Sequence, residues 1–208
     1  TSSPTMLFYD QGRRVGETLT GGVKRAQMIR NLNALIPPER AGEIERGMKP
    51  VSTDCDVLIL GGGPAGLTAG IYAAQAKLRT MLIDNKLPGG WVTTTHQVSN
   101  YPGFSKPVAG FMLAHHMSEQ AKAAGVEFRS AVDITGVDLD ARTVTVDGLE
   151  TIRARKMVIS TGSSPRPLGV PGELEHRGKG ISYCATCDAK YYQDREVIVV
   201  GGGNSAIE

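Results

Sequence analysis

A glycine-rich turn between two apolar segments limits the folds open to this chain more than any other feature. The stretch DVLILGGGPAGLTAGIYAAQAKLRTMLID, residues 56–84, contains an apolar run, a glycine turn, a run rich in small residues and a second apolar run. This order predicts a strand, a helix and a second, parallel strand. A βαβ unit of this kind opens a doubly wound α/β domain.

The glycines of this turn have the spacing G-x-G-x-x-G directly after the predicted strand. Gly61 allows a tight turn, Gly63 lets a pyrophosphate approach the backbone, and Gly66 lets the helix pack closely on the strand. The N-terminus of the helix then faces the anion. Asp84, at the end of the second strand, is expected to accept hydrogen bonds from ribose hydroxyls, with the capping of a loop as the alternative. The motif therefore predicts a dinucleotide site.

A second glycine motif follows near residue 200. In REVIVVGGGNSAIE, residues 195–208, Gly201, Gly203 and Ala206 form G-x-G-x-x-A after the apolar run VIVV. The pattern predicts another strand that leads into another helix. A protein that holds two dinucleotides usually passes electrons between them, which favours FAD together with NADPH or NADH.

Two cysteines with CxxC spacing lie between these motifs. Cys184 and Cys187 are followed at once by Asp188 in SYCATCDAKYY. A zinc site needs about four ligands, and Cys55 with the scattered histidines supplies no second pair at ligand spacing, so we expect no metal. Two reduced, buried cysteines remain an alternative. We favour a dithiol/disulfide couple in which Asp188 manages protons, although an N-cap or turn role for Asp188 also stays open.

Composition excludes several classes of protein. The 23 basic and 21 acidic residues are spread along the 208-residue chain and leave a formal charge of +2. No basic stripe exists to neutralise nucleic-acid phosphates. No apolar run approaches the roughly 18 residues of a membrane span, and the first residues lack the zones of a signal peptide. We expect a cytoplasmic protein that binds neither nucleic acid nor membrane.

The remaining segments predict further elements. The N-terminal stretch is expected to form strand, turn, strand and helix, and a proline-bounded, charged linker follows it. Residues 111–124 predict a helix. Residues 126–160 predict a small antiparallel meander that returns to a core strand.

From about residue 54 to residue 208 the chain resembles the low-molecular-weight, bacterial-type thioredoxin reductases. The segments that carry the resemblance occur in that family's order and are GGGPAGLTAGIYAAQA, GGWVTTTHQVSNYPGF, ISTGSSPRPLGVPGE, YCATCDAKYY and VIVVGGGNSAIE. The resemblance implies an FAD domain that is interrupted by an NAD(P)H domain carrying the CxxC pair. It further implies that Cys187 contacts the flavin and that Asp188 is the proton donor, and it leaves open which cysteine attacks the protein substrate.

The same resemblance and the two glycine motifs together give a set of expected cofactor-binding residues. They are Gly61, Gly63, Pro64, Ala65, Gly66, Asp84, Gly89, Gly90, Trp91, Asn100 and Gly162 on the FAD side, and Gly201, Gly203, Asn204, Ser205 and Ala206 on the nicotinamide side. Trp91 departs from the family, which usually has glutamine after the two glycines. A large aromatic ring there could stack near the flavin or alter access to it.

The front of the chain resembles the second half of a thioredoxin domain, with Ser3-Pro4 at the position of that family's cis-proline. The chain is thus expected to be the middle of a thioredoxin and thioredoxin reductase fusion, cut inside a domain at both ends. The expected fold class is α/β, with incomplete FAD/NAD(P)-binding Rossmann-like domains after a partial thioredoxin-like fold. The expected divisions are a thioredoxin-like part (1–36), a linker (37–53), a first FAD-domain segment (54–166) and the start of an NAD(P)H domain (167–208).

The function expected from this resemblance is a flavin-dependent disulfide reductase. Electrons would pass from NAD(P)H through FAD and the CxxC dithiol to thioredoxin or to a fused thioredoxin-like domain, and the full-length protein would be a homodimer. Two alternatives stay open, namely the flavoprotein reductase of a peroxide-reducing system and a flavin-binding fragment without turnover.

Overall fold

We describe the fold from a computed structural model, which covers residues 5–20, 23, 25–37, 39, 40, 43 and 47–207. The Ser3-Pro4 pair lies outside these residues. Among them, no helix is both long enough and apolar enough to cross a bilayer.

The N-terminal part forms a small unit of two strands and one helix, as its sequence predicts. Strands β1 (Thr5–Asp10) and β2 (Arg13–Thr20) are antiparallel, and helix α1 (Arg25–Asn33) follows them. The side chain of Asn31 joins helix to strand, because it accepts the N–H of Glu17 at 2.6 Å and donates to the carbonyl of Glu17 at 3.2 Å.

The larger part of the chain is built on a six-stranded mixed sheet. Its strands are β3 (Val51–Leu60), β4 (Thr80–Asp84), β5 (Glu127–Ser130), β6 (Ile134–Asp138), β7 (Thr143–Val146) and β8 (Glu150–Ile159). Their spatial order is β5-β4-β3-β8-β7-β6. Strands β5, β4, β3 and β8 run parallel, whereas β6, β7 and β8 form the predicted antiparallel meander. Strand β8 thus returns from the meander to the centre of the sheet.

Two helices cover one face of this sheet. Helix α2 (Pro64–Gln75) connects β3 to β4, and helix α3 (Gly110–Ala123) lies between β4 and β5, close to the predicted range 111–124. Their apolar side chains pack on alternate residues of β3 and β4 because successive strand residues point to opposite faces. The buried residues of this layer include Ile59, Leu67, Leu82, Leu113 and Met117.

The opposite face is closed by the meander. Leu58 of β3 and Met81 of β4 form a second buried cluster with Val144 of β7 and Ile152 of β8. Burial on both faces explains why β3 and β4 are continuous apolar runs in the sequence.

After β8 the described chain contains only short elements. They are helices α4 (Glu173–His176), α5 (Ala185–Asp188) and α6 (Asn204–Ile207), with a 3₁₀ turn at Ala189–Tyr192. The strand predicted for VIVV is wrong, since residues 196–200 have no regular structure and Ile198 is 92% exposed. No neighbouring strand is present in the described part of the chain, so the backbone groups of this run have no ladder to join.

Candidate functional site

The first glycine turn lies where β3 ends, at the carboxyl edge of the parallel strands. Gly61 has φ +104° and donates its N–H to the carbonyl of Ile83 at 2.9 Å. A Cβ at Gly61 would lie 2.7 Å from the carbonyl carbon of Ser160, and a Cβ at Gly66 would collide with the carbonyl oxygen of Gly61. The hydroxyl of Ser160 lies 3.0 Å from the carbonyl oxygens of both Leu60 and Gly61. Only glycine fits this turn at positions 61 and 66.

Helix α2 begins directly after this turn and presents a free N-terminus. Pro64 occupies its first turn, which contains no acidic residue. The backbone N–H groups of Ala65 and Gly66 have no intrahelical partner there, and Ala65 is exposed. The helix dipole adds a positive partial charge at the same place. This arrangement suits a pyrophosphate, as the sequence predicts.

Asp84 lies beside the glycine turn at the end of β4, and its carboxylate is used by the backbone. Its Oδ2 accepts the N–H of Gly62 at 2.6 Å, and its Oδ1 accepts the N–H of Lys86 at 2.8 Å. The structure therefore shows both that Asp84 is next to the predicted dinucleotide site and that it caps a loop. Its contact with a ribose stays a prediction.

A second turn, at Gly89, Gly90 and Trp91, packs against the first. Gly89 donates its N–H to the carbonyl of Gly62 at 2.7 Å. Gly90 has φ +62°, and a Cβ on it would lie 2.9 Å from the Cα of Gly63. The glycines of the two turns form a strip of backbone without side chains, which a flat or phosphorylated ligand can approach closely.

Trp91 points to a cavity that also contains the cysteine segment. The cavity has a volume of about 660 Å³, and its walls include Trp91, Arg177, Tyr183, Cys184, Asp188 and Tyr191. Trp91 lies in a 3₁₀ turn (Gly90–Thr94) and is 38% exposed. The structure therefore brings Trp91 together with Cys184 and Asp188 in one site.

Cys184 is disulfide-bonded, and Cys55 is a free, buried thiol. The side chain of Cys187 lies outside the described residues. Asp188 is the last residue of α5 and occupies the N-cap position of the 3₁₀ turn that follows, where its side chain makes no capping hydrogen bond. Its Oδ2 instead accepts the hydroxyl of Ser182 at 2.6 Å, and the same hydroxyl oxygen accepts the N–H of Cys184 at 3.1 Å.

Cys55 has a different environment from Cys184. It is buried in the core cluster of the meander face and borders a separate cavity that four arginines also line. Burial raises the pKa of the Cys55 thiol to about 11, against the opposing influence of Arg79. The structure thus separates one free, buried thiol from the cysteine of the shared cavity.

The other predicted site residues are more scattered. Asn100 is exposed in a bend, and Gly162 has φ +68° with open space around its Cα. In the second glycine motif, Gly201 has φ +120° and Asn204, Ser205 and Ala206 belong to helix α6. The N–H of Ala206 donates to the carbonyl of Gly203 at 2.9 Å. The turn is formed without its preceding strand, and its nucleotide role stays a prediction.

Among the described residues, no group of acidic, histidine and cysteine side chains could hold a metal.

No sequence motif indicates the buried Glu173, which contacts Arg177 and Tyr183 of the cavity wall. Glu173, which is 5% exposed, accepts the N–H groups of Leu168 at 3.1 Å and Gly169 at 2.7 Å and the hydroxyl of Tyr183. Arg177 lies 3.7 Å from the same carboxylate. These residues belong to no motif, and only the (i, i+4) spacing of Glu173 and Arg177 indicated a pair.

The model of the family described as pyridine nucleotide-disulphide oxidoreductase matches residues 55–208. The chain belongs to this family. It is 45% identical to the thioredoxin reductase of Peptoclostridium acidaminophilum over 74% of this chain and 49% of the relative. It is 41% identical to that of Bacillus subtilis over 74% of this chain and 48% of the relative. The chain therefore spans about half the length of the curated relatives that it matches.

Solved structures agree with this family assignment. The thioredoxin reductase of Streptococcus pyogenes matches with a TM-score of 0.68 and 36% identity, over 74% of this chain and 50% of that one. The enzyme of Giardia duodenalis matches with a TM-score of 0.61 and 35% identity, over 66% and 45%. The predicted resemblance to bacterial-type thioredoxin reductases and the predicted α/β fold class are confirmed.

Proposed function

We propose that this protein is an FAD-dependent disulfide reductase, which passes electrons from NAD(P)H to the disulfide of thioredoxin or of a thioredoxin-like domain. The observation that carries the proposal is the single cavity shared by the disulfide-bonded Cys184 and by Trp91. Trp91 belongs to the second turn, which packs on the first glycine turn. In the proposed function, Cys184 would be a redox-active cysteine beside the strip that would bind the nucleotide.

The residues present fit a flavin dinucleotide. The collisions that a Cβ would cause at Gly61, Gly66 and Gly90 show that the turns are packed backbone to backbone, and the first turn of α2 offers unpaired N–H groups to a pyrophosphate. Asp84, Asn100 and Gly162 would complete the binding of FAD. When bound, FAD supplies a two-electron carrier between nicotinamide and disulfide. Gly201, Gly203 and residues 204–206 would hold NADPH or NADH.

In the proposed reaction the disulfide of Cys184, paired with Cys187, accepts two electrons and two protons and becomes a dithiol. One thiolate then attacks the disulfide of the partner, which forms a mixed disulfide and releases a partner thiolate. The second cysteine attacks the mixed disulfide, restores the original bond and frees the reduced partner. Asp188, which the Ser182 hydroxyl holds at 2.6 Å, would hold the proton exchanged with the thiols.

The organisation of the whole protein is part of the proposal. We assign β1, β2 and α1 to the second half of a thioredoxin-like domain (1–36), followed by a linker (37–53), an FAD segment (54–166) and the start of the NAD(P)H domain (167–208). A fused thioredoxin-like domain would be a built-in electron acceptor. The full-length protein would act as a cytoplasmic homodimer, with neither nucleic acid nor membrane as partner.

The test measures turnover of the full-length protein that carries this chain. After reconstitution with FAD, it should oxidise NADPH or NADH when oxidised thioredoxin is added. Cys187→Ser should bind FAD as the wild type does and lose thioredoxin reduction. Cys55→Ala is the matched control and should retain turnover, because Cys55 borders a different cavity. Turnover by Cys187→Ser, or no turnover by the wild type with either nicotinamide, would exclude the proposal.

A further inference from the structure

The chain contains a single tryptophan, Trp91. Arg177, which lines the same cavity as Cys184, lies next to it. The guanidinium carbon of Arg177 lies 5.2 Å from the ring centroid of Trp91 and 5.1 Å from that of Tyr183. Both distances lie within the range in which cation–π attraction operates. Trp91 belongs to the glycine turn, whereas Tyr183 directly precedes Cys184.

Hydrogen bonds and close packing support the turn that contains Trp91. The hydroxyl of Thr94 donates to the carbonyl of Trp91 at 2.8 Å, and the hydroxyl of Thr93 donates to that of Gly90 at 2.8 Å. A Cβ at Gly110, the first residue of α3, would lie 2.6 Å from the carbonyl oxygen of Thr95. The 3₁₀ turn is therefore packed directly on a helix whose other side is buried in the core.

The segment that carries the disulfide has much weaker support. Besides Arg177, Gly178 and Tyr191 contact residues 94–97. Gly178 approaches Thr94, whose carbonyl oxygen would lie 3.2 Å from a Cβ at Gly178, and the Tyr191 hydroxyl lies 3.4 Å from both the carbonyl oxygen and the side-chain Oε1 of Gln97. A hydrogen bond of that length is weak. The contact of Arg177 with Trp91 adds a charged group to these contacts across the cavity.

The guanidinium of Arg177 also interacts with Glu173, which lies four residues before it in the chain. Glu173 lies 3.7 Å away and its side chain is 6% exposed, while the side chain of Arg177 is 22% exposed. The Nε of Arg177 is buried and makes no hydrogen bond with the residues that the structure describes. The aromatic rings and the carboxylate therefore provide its main interactions there.

We propose that Arg177 is a positioning residue, which docks the Cys184 segment (residues 177–192) on Trp91 and so holds the disulfide beside the glycine turns. Trp91 is the docking platform. The docking contact is argued from the distances of Arg177 to the rings of Trp91 and Tyr183, whereas its effect on electron transfer rests on the proposed function.

The contact is tested by the fluorescence of Trp91, the only tryptophan of the 208-residue sequence, with a Trp91→Phe variant of the full-length protein to subtract the emission of any tryptophan elsewhere. A positive charge close to the ring concentrates iodide and repels caesium, so at low salt iodide should quench Trp91 more efficiently than caesium. Arg177→Gln should lower the ratio of the two quenching constants several-fold at low salt, because one unit charge about 5 Å away in water changes the local concentration of each ion roughly three-fold and in opposite directions. Arg177→Lys should keep the ratio, because it keeps the charge.

The matched control is Arg155→Gln, which removes the same charge from an arginine that is 80% exposed and borders the other cavity. It should leave the quenching ratio unchanged. A measurement on the wild type alone can overturn the docking contact, whether or not the variants fold. Caesium quenching that equals or exceeds iodide quenching in the wild type would overturn it. An unchanged ratio in folded Arg177→Gln would do the same.

The positioning role is tested in the reconstituted full-length protein. Arg177→Gln should lower kcat for thioredoxin reduction about ten-fold, with the KM for nicotinamide and the affinity for FAD unchanged, because a small misplacement of reacting groups costs this much. Arg177→Lys should restore part of kcat. An unchanged kcat in Arg177→Gln would overturn the positioning role. Absence of turnover in the wild type would instead exclude the proposed function, while the quenching ratio still decides whether the segment is docked.

Discussion

The carboxylate of Asp84 accepts the N–H of Gly62 at 2.6 Å and so ties the end of β4 to the turn that follows β3. The glycine turn is therefore held in shape before any ligand binds. A ribose that hydrogen-bonds Asp84 would meet a carboxylate that is already oriented by two backbone N–H groups.

Replacement of Asp84 should affect stability as well as binding. Asp84→Ala leaves the N–H groups of Gly62 and Lys86 without their acceptor, and loss of a charged hydrogen-bond partner costs about 1.5–3 kcal/mol. We expect chemical denaturation to show a fall of this order in the free energy of unfolding, and titration to show weaker FAD binding. Unchanged stability with lost FAD binding would mean that the two hydrogen bonds contribute nothing and that Asp84 serves the ligand alone.

The glycine turn should tolerate no side chain at its first position. Gly61→Ala combines a backbone at φ +104° with a Cβ placed against the carbonyl of Ser160. Gly125→Ala is the matched control, because Gly125 has φ +100° and open space around its Cα. Strain alone should cost about 1–3 kcal/mol in the control, and Gly61→Ala should cost clearly more. Equal losses in urea denaturation would show that the turn relaxes freely.

The free thiol should be slow to react. With a pKa of about 11 instead of 9.0, Cys55 has about 100-fold less thiolate at pH 8, and the thiolate is the reactive form. Alkylation of the oxidised, folded protein followed by mass spectrometry should therefore modify almost no cysteine within the time that labels an ordinary thiol. After mild reduction, Cys184 should become modified. Rapid labelling of Cys55 before reduction would contradict its burial.

Stability should depend on pH through Glu173. Burial tends to raise the pKa of this carboxyl, but the N–H groups of Gly169 and Leu168 and the charge of Arg177 outweigh it and hold the pKa below its usual value. Because the folded-state pKa is the lower one, the stabilisation is complete above the unfolded pKa of about 4.3 and is lost as the pH falls through the folded-state value. The Tm of wild type should exceed that of Glu173→Gln at pH 7, and the difference should shrink toward pH 3. A difference that stays constant over this range would contradict the shift.

The sequence predicted the elements whose signals are local. The apolar runs of β3 and β4, the glycine spacing at Gly61 and the helical pattern near residue 110 each depend on neighbouring residues, and the structure has a strand, a turn or a helix at each place. The same local rules failed at VIVV. This run has the composition of a buried strand, but strands need partners for their backbone groups, and the described chain offers none there.

Residue spacing by itself determined that this chain would form a βαβ unit with a glycine turn, because turn geometry and the apolar pattern of a buried strand depend on residues that are adjacent in the sequence. Only the tertiary structure decided that Trp91 and Cys184 line one cavity, that Arg177 of the Cys184 segment contacts Trp91 and that Asp84 holds the backbone of the turn. Gly62 and Asp84 are 22 positions apart, whereas Trp91 is 86 positions from Arg177 and 93 from Cys184. Such contacts depend on how the strands are ordered and how the segments pack, which no local pattern specifies.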